Sequence, residues 1–228
     1  MTDFVFAPMA TPTLPVTGRA ALFPIARVFC IGRNYRWSSD EPAPQAMPAW
    51  FMKPATAVVP AAHHLPYPPG TAEFCHEVEL VVAIGRGGRD IDPAQVEDRH
   101  IWGYAVGLDM TRRDMQQAAK RVGGPWEPAK AFDRGAPCSP ITPVTTCGHP
   151  REGSIRLAVN GLERQQADLS DLLWPVPELV AMLSRSVMLM AGDLIFTGTP
   201  AGVGPLHPGD VVSASVAGLN EFSLTVTP

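Results

Sequence analysis

Chain breakers set the first limit on what this sequence can fold into. Twenty-five prolines and twenty glycines occur among 228 residues, about a fifth of the chain against a usual share of about 12%. Proline lacks a backbone donor and clashes with the preceding helical turn, and glycine in a helix carries a high entropic cost. Long helices and coiled coils are therefore excluded. The glycines follow no three-residue period, so a collagen-like assembly is excluded as well. Hydrophobic residues reach 46% and charged residues only 18%, the reverse of a disordered composition. What remains is a body of short elements and many turns, long enough to bury a core without disulfide or metal staples.

The charge pattern narrows the partners. Eighteen basic and twenty-two acidic residues give a net charge of −4 with no basic stripe, which argues against nucleic acid. No apolar run approaches the roughly 18 to 20 residues of a membrane helix. An acid, Asp3, stands where a secretory signal would carry basic residues. A cytoplasmic protein is expected, with Cys30, Cys75, Cys138 and Cys147 as free thiols because no CxxC spacing occurs.

Residues 1–23 are proline-rich and read as an extended N-terminal arm, followed by a single domain over 24–228. Apolar runs at 27–31, 76–84, 101–109, 194–197, 211–216 and 222–226 read as strands. The stretch 155–166 reads as a hairpin turning at Asn160-Gly161, a type I′ pair. Three helices are expected. One starts at Asp92-Pro93, and one spans 111–122 with Thr111 as its cap and Asp114 completing a capping box. The third spans 177–189. The segment 85–90 reads as a hairpin turn, and the polar, turn-rich 34–49 as a lid. Strands dominate, so the fold class is α+β, mostly β.

The first chemical signal lies in HEVEL at 76–80. Alternation along a strand turns Val78, Leu80, Val82 and Ile84 into the core and sets Glu77 and Glu79 side by side on the other face, roughly 6 to 7 Å apart. Two such carboxylates raise each other's pKa unless a positive charge lies between them. Either this face is solvated, as exposed Glu pairs commonly are, or it holds a divalent cation. The strand is too apolar for an edge, and the next strong strand ends in a lone acid, Asp109, which favours the second reading. An all-carboxylate set selects Mg²⁺, Mn²⁺ or Ca²⁺ over Zn²⁺. Lys130 and the Arg112-Arg113 pair read by default as solvated surface groups, although an Arg beside a metal site can grip a carboxylate. The loop 198–204 is glycine-rich without the lysine of a phosphate loop. His63 and His64 point apart on an extended chain.

Seven motifs occur in order: CIGRNY at 30–35, FMKP at 51–54, HEVELVVAIG at 76–85, GYAVGLDMTRRDMQ at 103–116, AKAFD at 129–133, VNG at 159–161 and GDLIFTGTPAGVG at 192–204. Together they resemble the fumarylacetoacetate hydrolase family, most closely its fumarylpyruvate hydrolase and acylpyruvase members. The resemblance covers the chain from about residue 24 onward. It implies a roll of packed mixed β-sheets with a few peripheral helices, a homodimer, and Mg²⁺ or Mn²⁺ held by Glu77, Glu79 and Asp109. It carries the family's substrate-side residues onto Lys130, Arg113, Gln116 and Thr199, and places the backbone N–H groups of Gly32 and Arg33 near the reacting oxygen.

One departure stands out. Hydrolases of this family carry a His and, three residues on, a Glu on a short lid helix, and the pair activates water. Here those positions fall on Ser38 and Glu41, with prolines at 42, 44 and 48. The resemblance implies cleavage of a carbon–carbon bond in an acylpyruvate-type 1,3-dicarbonyl acid, with Glu41, Lys130 and Ser38 in the catalytic positions. The alternatives are an oxaloacetate-type decarboxylase or tautomerase, which needs no activated water, and a protein that binds an oxo acid with weakened catalysis. A glycosidase using Glu77 and Glu79 fits less well, because few aromatics are present to line a sugar cleft.

Overall fold

The structure, a computed structural model, describes residues 3–36, 47–61 and 64–228. Ser38, Glu41 and His63 lie outside the described residues. In chain order the strands begin with β1 (Thr13–Val16), β2 (Arg19–Pro24), β3 (Val28–Ile31), β4 (Trp50–Lys53), β5 (Val58–Pro60), β6 (His64–Pro66), β7 (Phe74–His76) and β8 (Val78–Ile84). Then follow α1 (Pro93–Arg99), β9 (Ile101–Leu108), β10 (Thr111–Arg112), α2 (Arg113–Val122), α3 (Glu127–Lys130), β11 (Ala136–Cys138), β12 (Thr142–Pro143) and α4 (Val144–Cys147). The chain closes with β13 (Ser154–Val159), β14 (Leu162–Asp168), α5 (Val176–Ser186), β15 (Leu194–Phe196), β16 (Gly204–Leu206), β17 (Val211–Val216) and β18 (Phe222–Thr227). The fold is mostly β, and its sheets are mixed.

An eight-stranded sheet runs β4-β3-β15-β8-β9-β11-β5, with β12 paired to β9. A five-stranded sheet runs β14-β13-β17-β18-β6, and a three-stranded one β10-β7-β16. The expected alternation along β8 is present. Val78, Leu80, Val82 and Ile84 enter one core with α5 and the inner face of the five-stranded sheet. Val81 and Ala83 enter a second core on the opposite face, with Leu14, Val16 and Phe23. A sheet buried on both faces explains why β8 reads as a nearly continuous apolar run.

The second core corrects the reading of the N-terminal segment. Residues 13–24 are a β-hairpin, β1 against β2 in antiparallel register, and not an extended arm. Pro12, Pro15 and Pro24 hide it in the sequence, but a two-stranded ribbon is all edge and tolerates proline. Two other expectations change. Thr111 does not cap α2: Arg112 is the N-cap residue without a side-chain cap bond. Thr111 instead pairs with Cys75 across β10 and β7, and Asp114 accepts from the Thr71 hydroxyl and the Ala72 amide. The segment 85–90 leads into α1, so β8 and β9 are joined through a helix and not by a tight turn.

Local expectations elsewhere match. Asp92 caps α1 with Pro93 in the first turn. Asn160 and Gly161 both take positive φ, 53° and 77°, as a type I′ turn demands. All four cysteines are free, and among the described residues no helix is long and apolar enough to cross a membrane.

Candidate active site

Four neighbouring strands of the large sheet, β3, β15, β8 and β9, end at one place. Glu77 sits in the break between β7 and β8, and Glu79 is the second residue of β8. Asp109 follows β9, and its amide donates to the Glu77 carbonyl at 2.9 Å. The antiparallel register of β8 on β9 thus fixes Glu77 and Asp109 opposite each other. One carboxylate oxygen from each of Glu77, Glu79 and Asp109 lies within 4.8 Å of the others. All three residues are buried, Glu79 and Asp109 to 1% exposure. The solvated-face reading is therefore wrong: further along this face Val81 and Ala83 pack into the core with the β1–β2 hairpin, and Glu77 and Glu79 themselves are buried at a pocket.

Cations surround this cluster. Lys130, expected to be solvated, is 1% exposed. It donates to Glu77 Oε2 at 2.8 Å and Asp109 Oδ2 at 2.7 Å. Arg113 Nη2 donates to Glu77 Oε1 at 3.2 Å and its Nη1 to Gln116 Oε1 at 2.6 Å. Lys53, to which sequence reasoning gave no role, lies 2.9 Å from Asp109 Oδ1. That contact lacks hydrogen-bond alignment, since the ammonium is aimed at the carbonyls of Met110 and Lys130 at 3.0 and 2.6 Å. Burial pushes Asp109 up, but Lys130 and Lys53 outweigh it and hold the carboxyl below its usual range. Burial opposes the charge on Lys130 as well, and Asp109 and Glu77 overcome it and hold the ammonium protonated.

Glu79 is different. Its Oε2 accepts from the Gly198 amide at 2.7 Å. Burial, then Asp109 and Glu77, push its carboxyl well above the usual range. Among the described residues this carboxylate forms no ion pair, and the more distant Lys130 charge does not offset the burial and the two neighbouring acids; a bound dication would. Three convergent carboxylates with no thiolate among them form a hard, all-oxygen donor set suited to Mg²⁺, Mn²⁺ or Ca²⁺. The residues present therefore fit a divalent cation. Lys130, Lys53 and Arg113 already match the three carboxylates in charge, so a dication leaves the site net positive. An anionic ligand would complete it.

The cluster forms the floor of a pocket of about 870 Å³. Gly32, Arg33, Arg113, Gln116, Lys130 and Thr199 all line it, so every predicted site residue outside the lid is brought together. Two details differ from expectation. The Gly32 amide donates to the Ala49 carbonyl at 2.8 Å, because the β3–β4 ladder extends through it, so it is not available to a substrate oxygen. The Thr199 hydroxyl donates to the Val78 carbonyl and accepts from Gln165 Nε2, both at 2.8 Å.

The loop after β15 shows why its glycines are there. Gly198 has φ of 102°, and a Cβ on it would lie 2.7 Å from Asn34 Cβ. Asn34 itself is buried and ties the turn after β3 to the loop after β15, donating to the Thr197 and Trp174 carbonyls. Gln165, on β14, reaches across to Val78, Thr199 and Pro200. Both are positioning residues that the sequence did not disclose. The signals for Lys53 were its place in the FMKP motif and a lone cation closing the apolar run WFM, and neither named its partners.

A mixed-β scaffold with a buried acidic triad, ringed by cations at the floor of one pocket, defines a protein built to hold a divalent cation beside an anionic ligand. The chain belongs to the fumarylacetoacetate hydrolase family: the model for the fumarylacetoacetate (FAA) hydrolase C-terminal region matches residues 27–227. A fumarylpyruvate hydrolase from Ralstonia sp is 42% identical over 78% of this chain and 92% of its own length. An oxaloacetate tautomerase of Escherichia coli (strain K12) is 39% identical over 86% of this chain and 90% of its own. The crystal structure of fumarylpyruvate hydrolase from Pseudomonas aeruginosa in complex with Mn²⁺ and pyruvate superposes with a TM-score of 0.94. It is 46% identical and covers 99% of both chains.

Proposed function

We propose that this protein is a divalent-metal-dependent hydrolase that cleaves the carbon–carbon bond of an acylpyruvate-type 1,3-dicarbonyl acid resembling fumarylpyruvate. The observation that carries this reading is the convergence of Glu77, Glu79 and Asp109 on the floor of a pocket whose other charged lining groups are cations. The Pseudomonas aeruginosa relative, described with Mn²⁺ and pyruvate, supports it. Glu77, Glu79 and Asp109 would hold Mg²⁺ or Mn²⁺, which when bound supplies Lewis-acid stabilisation of the negative charge that develops on a 2-oxo acid.

The chain's own groups do the rest. Lys130 stays protonated, spaces the Glu77 and Asp109 carboxylates, and adds a fixed positive charge where negative charge develops. Arg113, braced by Gln116 and Glu77, offers its planar fork to a substrate carboxylate. Gly198 aims Glu79 through its amide, and Thr199 and Gly32 shape the wall. Arg33 adds to the positive field of the pocket. Water must attack the far carbonyl, and a general base for that step contributes typically about 10² to 10⁴-fold. We assign that role to Glu41 of the lid, with Ser38 at the position where the family carries His. The protein is proposed to act as a cytoplasmic homodimer.

A second reading, an oxaloacetate-type tautomerase or decarboxylase, is favoured by the Escherichia coli relative and by Ser38, since such chemistry needs the acidic triad but no activated water. Ultraviolet spectroscopy separates the two. Metal-dependent loss of the diketone absorbance of fumarylpyruvate, with fumarate and pyruvate formed, supports the hydrolase. No loss of that band, with accelerated decay of enol-oxaloacetate absorbance or CO₂ release from oxaloacetate, supports the second. Ser38→His should raise hydrolysis about tenfold or more if Ser38 occupies the base position. An unchanged rate would remove Ser38 from it.

A further inference from the structure

The proposed reading uses the floor of the pocket and assigns nothing to its mouth. There α2 carries Lys120 seven residues beyond Arg113, two turns along the same helix face, with backbone anchors roughly 10 Å apart. Lys120, Phe51 and Trp126 all line the pocket. The Phe51 and Trp126 rings meet with centroids 5.7 Å apart. At the inner end the Lys130 ammonium lies 5.1 Å from the Phe51 centroid. At the outer end the Lys120 ammonium lies 5.1 Å from the Trp126 centroid. The pocket thus has an aromatic wall with a cation at each end.

The two cations differ in their company. Lys130 is matched by Glu77 and Asp109, whereas Lys120 forms no ion pair among the described residues. Partial burial, and then the Arg113 charge, disfavour the charged form of Lys120, with Glu77 opposing them. A cation held among other cations at a pocket mouth is a place where a ligand anion is welcome.

We infer that Lys120 is a specificity-determining residue: it receives a second carboxylate at the far end of the acyl group, with the chain between the two carboxylates lying flat on Phe51 and Trp126. The inference rests on the proposed reading, in which the 2-oxo-acid end lies at the acidic triad. The span is right for it. An extended seven-carbon diacid built from bonds of about 1.5 Å is roughly 9 Å long, close to the separation of the two helix anchors. A planar unsaturated chain also gains more from an aromatic wall than a bulky saturated one. Within the proposed substrate class, Lys120 is therefore the group that selects acyl chains ending in a carboxylate over those that do not.

The test is a calorimetric comparison on the Mn²⁺-loaded protein. A seven-carbon 2-oxo diacid, 2-oxoheptanedioate, is titrated against its monoacid counterpart 2-oxoheptanoate, with oxalate as the probe of the inner end. The wild type should bind the diacid about tenfold more tightly than the monoacid, and the preference should shrink as salt is raised. Lys120→Met, which keeps the stem against Trp126, should abolish the preference, and Lys120→Arg should retain most of it. The kcat/KM ratio for fumarylpyruvate over acetylpyruvate should fall about tenfold in Lys120→Met. An equal diacid preference in Lys120→Met, or none in the wild type while oxalate still binds, overturns the inference and leaves the proposed function standing. A Lys120-dependent preference in a protein that hydrolyses no acylpyruvate overturns the proposed function and leaves the Lys120 subsite standing. Failure to bind even oxalate overturns both.

Discussion

At the start of β8 stands Glu79. It is buried, faces two other carboxylates, and is held by a backbone amide. Glu79→Gln should therefore weaken Mn²⁺ binding at least about 100-fold while costing the metal-free fold little or stabilising it, since a charge is removed from a crowded acidic site. Calorimetry and thermal unfolding of the metal-free protein measure the two effects. Lys53 makes the converse case. Lys53→Met removes the ammonium that lies 2.9 Å from Asp109 Oδ1 and frees two buried carbonyls. Removing one member of such a buried pair costs about 3 to 5 kcal/mol, readable by denaturant unfolding. A loss below about 1 kcal/mol would mean Lys53 is not part of the support. The ExE pair and Asp109 were legible in the sequence because strand alternation and a strand-ending acid are local signals. Lys53, Asn34 and Gln165 were not, because each matters only through partners on distant strands, as Gln165 does by reaching Val78 from β14.

The elements hold the site through close approach. Gly107 on β9 stands opposite Glu79 on β8. A Cβ there would lie 2.6 Å from Val81 and 2.7 Å from Phe196. Gly107→Ala should destabilise the fold by about 1 to 3 kcal/mol through overpacking and lower metal affinity by tilting β8 against β9. Full stability in that variant would show the ladder is looser than described. At this scale the sequence told much: strands with strong apolar runs and the Asn160-Gly161 turn are set by local chemistry. It misled where a long-range pairing took over. Thr111 looks like a cap because Asp114 follows it, but β10 pairs with β7 and turns that threonine inward. The Arg113 and Lys120 positions on α2 follow from that same pairing, which sets where the helix begins.

At the scale of the whole molecule, the two cores on either face of the large sheet make the N-terminal hairpin part of the site's support. Leu14, Val16 and Phe23 are buried against that sheet, and each such side chain contributes about 1.5 to 3 kcal/mol. Removing residues 1–24 should lower the unfolding midpoint sharply and expose the sheet face that carries Glu79. A truncated chain that keeps both its midpoint and its Mn²⁺ affinity would separate the hairpin from the site. Light scattering tests the proposed homodimer, which requires twice the 24.4 kDa of one chain.

As proposed, the buried triad and its cations form a metal-dependent acylpyruvate-cleaving site. The most direct measurement follows the fumarylpyruvate absorbance in the presence of saturating Mn²⁺, with fumarate and pyruvate quantified in parallel. The band should be lost with the two products in equal amounts, and that loss should be abolished by a chelator, restored by Mn²⁺, and absent in Glu79→Gln. An unchanged band with Mn²⁺ bound, or cleavage that persists in Glu79→Gln, would contradict this reading.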